Sequence, residues 1–171
     1  MKRNNATHPN NKIVTPGDLP GIADCARGMG LVIVTTNGSF DLLHAGHMRS
    51  LWWSVLLGDL LIVGVNSDAS VRAYKGEDRP IIHQDERAYQ VASVGCVDYV
   101  CIFDEEEVGG ALLRAVGPHI HTTGANWFGR APEQVVTDEI GVKLRFVPAF
   151  TDDDGLSFST SDIIRKIREM R

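Results

Sequence analysis

Short apolar runs rich in Val and Ile alternate with helical patterns along the chain, and this alternation constrains the fold more than any other feature. A run that is apolar at nearly every position suits a strand covered on both faces, which is the habit of parallel sheets flanked by helices. The candidate strands are Val32–Thr36, Leu60–Asn66, Asp98–Phe103, His119–Thr123 and Lys143–Val147. The predicted fold is α/β, a single doubly wound, Rossmann-like domain with a parallel five-stranded sheet over residues 13–171. Residues 1–12 are polar and Asn-rich, lack the apolar core of a signal peptide, and read as a mobile tail.

Helical spacing fills the intervals. Met48, Leu51, Trp52, Val55 and Leu56 form one apolar stripe, with Gly58 placed to end the helix. Trp53 then points elsewhere and is a candidate dimer surface. Further helices are predicted over Asp85–Val94, from near Glu105, and over Ser161–Met170 with Ile163, Ile164 and Ile167 inward. The acidic run Asp104-Glu105-Glu106-Glu107 complements a helix N-terminus, and Ser159 with Asp162 resembles a capping pair.

Composition narrows the function. A net charge of −5 argues against a general nucleic-acid binder. Three cysteines without C-x-x-C spacing indicate neither a disulfide framework nor a cysteine zinc site, and no metal ligands are assigned. The apolar stretch 55–65 is broken by Gly58-Asp59 and too short to span a bilayer, so no membrane partner is expected. A cytoplasmic enzyme is the default reading.

The chemistry concentrates in Thr36-Asn37-Gly38-Ser39-Phe40-Asp41-Leu42-Leu43-His44-Ala45-Gly46-His47, where the first of these strands gives way to a helix. Gly38 lets the backbone pass close to a ligand, and Gly46 keeps bulk away from phosphates. His44 and His47 sit where free helix N–H groups attract anions, and both can donate hydrogen bonds to a polyphosphate. Zinc would need a third ligand, and only Asp41 is near. The glycines form neither G-x-G-x-x-G nor a lysine-bearing phosphate loop. Asn66 and Asp68 close the second of these strands, where Asp68 could hold an acceptor hydroxyl or orient a basic side chain. Lys75, Arg79 and Arg87 are spaced so that two loop positions and one helix position can face the same phosphates. Ser159 and Thr160 join hydroxyls to the N–H groups of the last helix, as a second anion site or as simple caps.

Five segments in order resemble the HxGH, or cytidylyltransferase-like, nucleotidyltransferases, and most nearly the heptose-1-phosphate adenylyltransferases. They are the histidine segment; Val65–Arg72 with Lys75-Gly76 and Arg79-Pro80-Ile81; Asp85-Glu86-Arg87-Ala88; Val97-Asp98-Tyr99-Val100 with Phe103-Asp104-Glu105; and Ser159-Thr160-Ser161-Asp162-Ile163-Ile164. The resemblance implies transfer of AMP from ATP to a sugar 1-phosphate like D-glycero-D-manno-heptose 1-phosphate, with release of pyrophosphate. It implies His44, His47, Lys75 and Arg87 as catalytic residues, and Asn37, Gly38, Ser39, Phe40, Gly46, Thr123, Gly124, Asn126, Ser159 and Thr160 around the nucleotide. Asp41, Asn66, Asp68 and Arg79 would serve the acceptor. Mg²⁺ would arrive on the triphosphate, held mainly by phosphates and water. A homodimer is expected.

One segment departs from the heptose pattern, and at two positions, Thr123 and Asn126, it replaces a charged residue. Where those enzymes place Val-Lys-Gly-Gly-Asp-Tyr, this chain has Thr122-Thr123-Gly124-Ala125-Asn126-Trp127, losing one charge of each sign. Asn126 can still read a base edge, and Trp127 could stack on a ring or pack in the core. The segment from Thr151 to Phe158, with Asp152-Asp153-Asp154, reads as a flexible loop near the site. Two rival readings follow: a CTP-dependent enzyme for glycerol 3-phosphate or another alcohol phosphate, and a nucleotide-binding module without catalysis.

Overall fold

The computed structural model describes residues 8–104, 110–150 and 159–170. The apolar runs become β2 (Ile33–Gly38), β3 (Leu60–Asn66), β4 (Tyr99–Phe103), β5 (Ile120–Gly124) and β6 (Lys143–Val147), joined by a short β1 (Ile13–Val14). They form one six-stranded sheet in the order β1–β4–β3–β2–β5–β6. Every pairing is parallel.

The sixth strand corrects the expected five. β1 pairs only Ile13 with Val100 and Val14 with Cys101 at the sheet edge, too short a pairing to leave an apolar run. Ahead of it, Pro9–Lys12 forms a 3₁₀ turn, and the Lys12 ammonium donates to the Val97 carbonyl at 2.8 Å. The end of the expected tail is thus fastened to the body, while residues 1–7 lie outside the described ones.

Among the described residues, seven helices cover the sheet: α1 (Leu19–Gly28), α2 (Ala45–Val55), α3 (Asp68–Lys75), α4 (Gln84–Ala92), α5 (Gly110–Val116), α6 (Gln134–Ile140) and α7 (Thr160–Glu169). α1, α3 and α6 go beyond the predicted set. The expected helix start near Glu105 lies outside the described residues. Alternate residues of each central strand face opposite layers. Val34, Leu61, Val63 and Val65 pack with Leu51 of α2 and Ala88 and Val91 of α4. Ile33, Ile62 and Cys101 pack with Leu19 and Ala23 of α1 and Leu112 and Val116 of α5.

The α2 stripe is rotated from its expected position. Leu51 and Ser54 are fully buried and Met48 and Val55 pack on the core, whereas Trp52 is 52% and Leu56 79% exposed. Trp53, expected to face outward, is half-buried. A serine can occupy the inner face because its Oγ meets Thr122 Oγ1 at 2.8 Å and donates to the Ser50 carbonyl at 2.8 Å. An apolar count cannot register that position. α7 departs similarly: Ile163 and Ile164 are half-buried, but Ile167 is 55% exposed.

Gly58 has a different reason from the expected one. α2 already ends at Val55, capped by Leu56. A Cβ on Gly58 would lie 2.6 Å from the Val32 carbonyl oxygen and 2.7 Å from Val34 Cγ2, so the glycine permits close backbone approach.

Candidate active site

The sheet sets the place. From β2 the chain moves outward through β3 to β4, then returns to the other side of β2 with β5, so the connections diverge between β2 and β5. Ligands of open α/β sheets bind at such a divergence, beyond the carboxyl ends of the strands. The loop after β2 and the turn after β5 flank a cleft of about 530 Å³ there. Its lining includes Ser39, His44, Gly46, His47 and Lys75, Gly124 and Asn126 from the turn after β5, and Ser159 and Thr160 from the start of α7.

The loop after β2 is strained. Phe40 and Leu42 both adopt φ near 48°, a left-handed conformation costly for residues other than glycine. Between them Asp41 is fully buried and accepts from the N–H groups of Ile81 (3.0 Å) and Ile82 (3.0 Å) and from Arg79 Nε (2.8 Å). Burial alone would raise the Asp41 carboxyl, but these N–H groups and the guanidinium outweigh it and hold it below the usual range. The Asp41 carbonyl also accepts from Thr160 Oγ1 at 2.6 Å, tying α7 to this loop.

His44 is the N-cap of α2 and His47 occupies its first turn. The Gly46 N–H donates to His44 Nδ1 at 3.1 Å, and the His44 N–H makes a longer bond to His47 Nδ1 at 3.4 Å. With both Nδ1 atoms accepting, a neutral ring carries its proton on Nε2. Burial pushes His47 down to about 3, aided by the charges of His44 and Lys75, and burial also lowers His44. Two neutral imidazoles can therefore lie with centroids 3.9 Å apart. They form a matched pair of N–H donors beside the Ala45 and His47 amides that begin α2. Phe40 packs against the His47 ring at 5.4 Å.

Lys75 is the last residue of α3, not a loop residue as expected. Its stem is exposed, but its ammonium turns inward to donate to Ser39 Oγ at 2.8 Å. Burial, and then the neighbouring Arg79, lower its pKa. At α7, Ser159 Oγ accepts from the Asp162 N–H at 3.1 Å and donates to its carboxylate at 2.5 Å. The hydroxyls of Ser159 and Thr160 and the Asp162 N–H are thus committed to protein partners, and the Thr160 and Ser161 amides that begin α7 remain for a ligand.

Other predicted site residues stand behind the cleft. Arg87 is completely buried: Nη2 donates to Asp68 Oδ1 at 2.7 Å, Nε to the Ile82 carbonyl at 2.9 Å, and Nη1 to the Ser39 carbonyl. It braces the site and cannot face phosphates as expected. Asp68 and Asp41 are likewise occupied by guanidiniums. Asn66 and Thr123 are buried, and Gly38 and Phe40 are absent from the cleft lining.

Asn37 turns away from the cleft into a buried chain. His121 Nε2 meets Asn37 Oδ1 at 3.1 Å, and Thr35 Oγ1 meets His121 Nδ1 at 2.8 Å. Burial pushes His121 down to about 3, so it is neutral; a proton on Nε2 satisfies both bonds when Thr35 donates. Asn37 also bonds Glu133, whose carboxyl burial raises.

After β5, a Cβ on Gly124 would lie 2.5 Å from Asn126 Oδ1, so the glycine lets the Asn126 side chain fold back over the strand end. Arg130 donates to the Asn126 carbonyl at 3.1 and 3.2 Å and sits 5.6 Å from the Trp127 ring, which thus stacks on a guanidinium. Ser50, Ala125, Val147, Pro148, Ala149, Phe150 and Ser161 also line the cleft beyond the predicted residues. Ser50 was legible one helical turn beyond His47; the residues after β6 carry no motif, only a strand end beside β5. The predicted loop Thr151–Phe158 lies outside the described residues.

Residues 35–166 match the cytidylyltransferase-like family model. The chain belongs to the cytidylyltransferase-like family. It is 42% identical over 163 residues to the Bifunctional protein HldE of Trichlorobacter lovleyi, covering 93% of this chain and 31% of that one. It is 44% identical over 136 residues to the Bifunctional protein HldE of Helicobacter pylori, covering 80% of this chain and 27% of that one. The chain thus spans about a third of the length of these curated relatives. A lipopolysaccharide core biosynthesis protein from Thermoplasma volcanium superposes with TM-score 0.60 at 29% identity, covering 72% of this chain and all of that one. Pantoate-beta-alanine ligase from Francisella tularensis, at 14% identity and TM-score 0.67 over 92% of this chain and 77% of that one, shares the fold. Among the described residues, no helix is long and apolar enough to cross a membrane.

Proposed function

We propose that this protein transfers AMP from ATP to a sugar 1-phosphate of the heptose 1-phosphate type, releasing pyrophosphate. The observation that carries this reading is the pair of neutral imidazoles with Nε2–H groups beside the helix starts of α2 and α7 and the Lys75 ammonium, around one cleft. The ordered motifs and the identity to the HldE proteins support heptose 1-phosphate as acceptor.

The lining supports one orientation of the nucleotide. The end formed by Gly124, Ala125, Val147 and Phe150 suits a base and ribose, and the imidazole and ammonium end suits phosphates. An acceptor phosphate oxygen attacks the α-phosphorus in line, the bond to the bridging oxygen breaks, and pyrophosphate leaves with the electron pair. His44, His47 and Lys75 stabilise the charge gathering on pyrophosphate, and no covalent enzyme intermediate is needed. Among the described residues no carboxylate lines the cleft; Mg²⁺ arriving on the triphosphate would be carried by phosphate oxygens and water, neutralising their charge. The same reading places the protein in the cytoplasm as a homodimer, for which the exposed Trp52 and Leu56 of α2 offer an apolar face.

A pyrophosphate-release assay of ATP and CTP, each against heptose 1-phosphate and glycerol 3-phosphate, tests the proposal. Turnover should appear with ATP and heptose 1-phosphate. Turnover only with CTP would refute the nucleotide assignment, and binding without release in any pairing would refute catalysis.

A further inference from the structure

The nucleotide cleft does not end at α7. Ser161 lines both it and a second cavity of about 610 Å³ between α7 and the segment after α3. Arg79, Arg165 and Arg168 supply guanidiniums there, Asp78 and Glu169 carboxylates, and Ile164 an apolar wall. Arg79 Nε donates to Asp41 and its Nη2 lies 2.7 Å from the same carboxylate without a hydrogen bond, and Asp162 pairs Arg165 at 3.0 Å. The side chains of Asp78, Arg168 and Glu169 make no hydrogen bond or ion pair among the described residues. This mixture fits one ligand chemistry well. Guanidiniums take phosphate oxygens, carboxylates accept from sugar hydroxyls, and an aliphatic wall meets the C–H face of a pyranose.

We propose that this second cavity is the acceptor site, holding the sugar of a sugar 1-phosphate between Arg168, Glu169 and Asp78 while its phosphate reaches the nucleotide past Ser161. The assignment rests on the adenylyltransferase reading above and extends it to named residues. It also explains why Arg79 is held so firmly. Its ion pair with the buried Asp41 fixes one wall of the acceptor cavity to the loop that carries His44.

The test is calorimetric titration of heptose 1-phosphate, and separately mannose 1-phosphate, into protein saturated with α,β-methylene ATP, which cannot transfer AMP. Arg168→Gln and Glu169→Gln alter exposed side chains and leave the fold intact. Each should weaken sugar-phosphate binding about 10-fold or more, as expected for one lost charge-assisted hydrogen bond, with affinity for the ATP analogue changed less than about 2-fold. Wild-type binding that both variants preserve would overturn the cavity assignment and leave the function intact. Binding of the analogue without either sugar phosphate would overturn the proposed ligand class. Failure to bind the analogue would instead refute the nucleotide reading itself, and this inference with it.

Discussion

Replacing Arg87 separates two roles that a sequence motif cannot distinguish. In Arg87→Met the aliphatic stem is roughly retained and the guanidinium is lost, leaving Asp68 Oδ1 and the carbonyls of Ser39 and Ile82 without their donor. Removing one partner of a buried ion pair costs about 3–5 kcal/mol. The Asp68 side chain is 14% exposed, so water can reach it and the lower half of that range applies, about 3–4 kcal/mol. Against a typical total stability of about 5–15 kcal/mol this is a large fraction. With a urea dependence of about 2 kcal/mol per molar, the unfolding midpoint should fall by about 1.5–2 M. The three tryptophans allow urea titration by fluorescence. Arg87→Lys should recover part of the loss, since an ammonium keeps the charge but cannot reach all three acceptors together. If Arg87→Met shifts the midpoint by less than about 0.3 M while weakening ATP binding more than about 10-fold, the bracing role is wrong and the side chain serves phosphate directly.

Three further outcomes are expected. His47→Ala should lower kcat by about 100-fold while the ATP KM changes less than about 3-fold, because its bond strengthens as pyrophosphate leaves; equal loss in both would refute a transition-state role. His121 remains neutral down to about pH 3 in the folded protein, whereas the unfolded chain takes up its proton near 6.5. Stability should therefore be complete above pH 6.5 and fall as pH drops through that interval, by up to about 1.4 kcal/mol per unit from this residue. His121→Gln should flatten that slope in urea titrations at stepped pH, and identical slopes would refute it. Gly58→Ala should cost about 1–3 kcal/mol in thermal or urea unfolding, since its Cβ would press on the Val32 carbonyl at 2.6 Å; an unchanged midpoint would refute close approach as the reason for this glycine.

What the amino-acid order determined by itself was the parallel α/β architecture, the position of the histidine segment, and the line of motifs that follows it. These signals are local: strand runs, helical spacing and helix caps are each written within a few neighbouring residues. Tertiary structure decided which charged residues face the ligand. Arg87 and Lys75 look alike in sequence, yet one is enclosed by Asp68 and two carbonyls and the other reaches Ser39 at the cleft. The reversal at Trp52 has the same origin, because Ser54 is buried only by virtue of Thr122, far along the chain. Packing partners distant in sequence determine which face of an element is covered and which charges are consumed, and no local pattern encodes a partner that is 68 residues away.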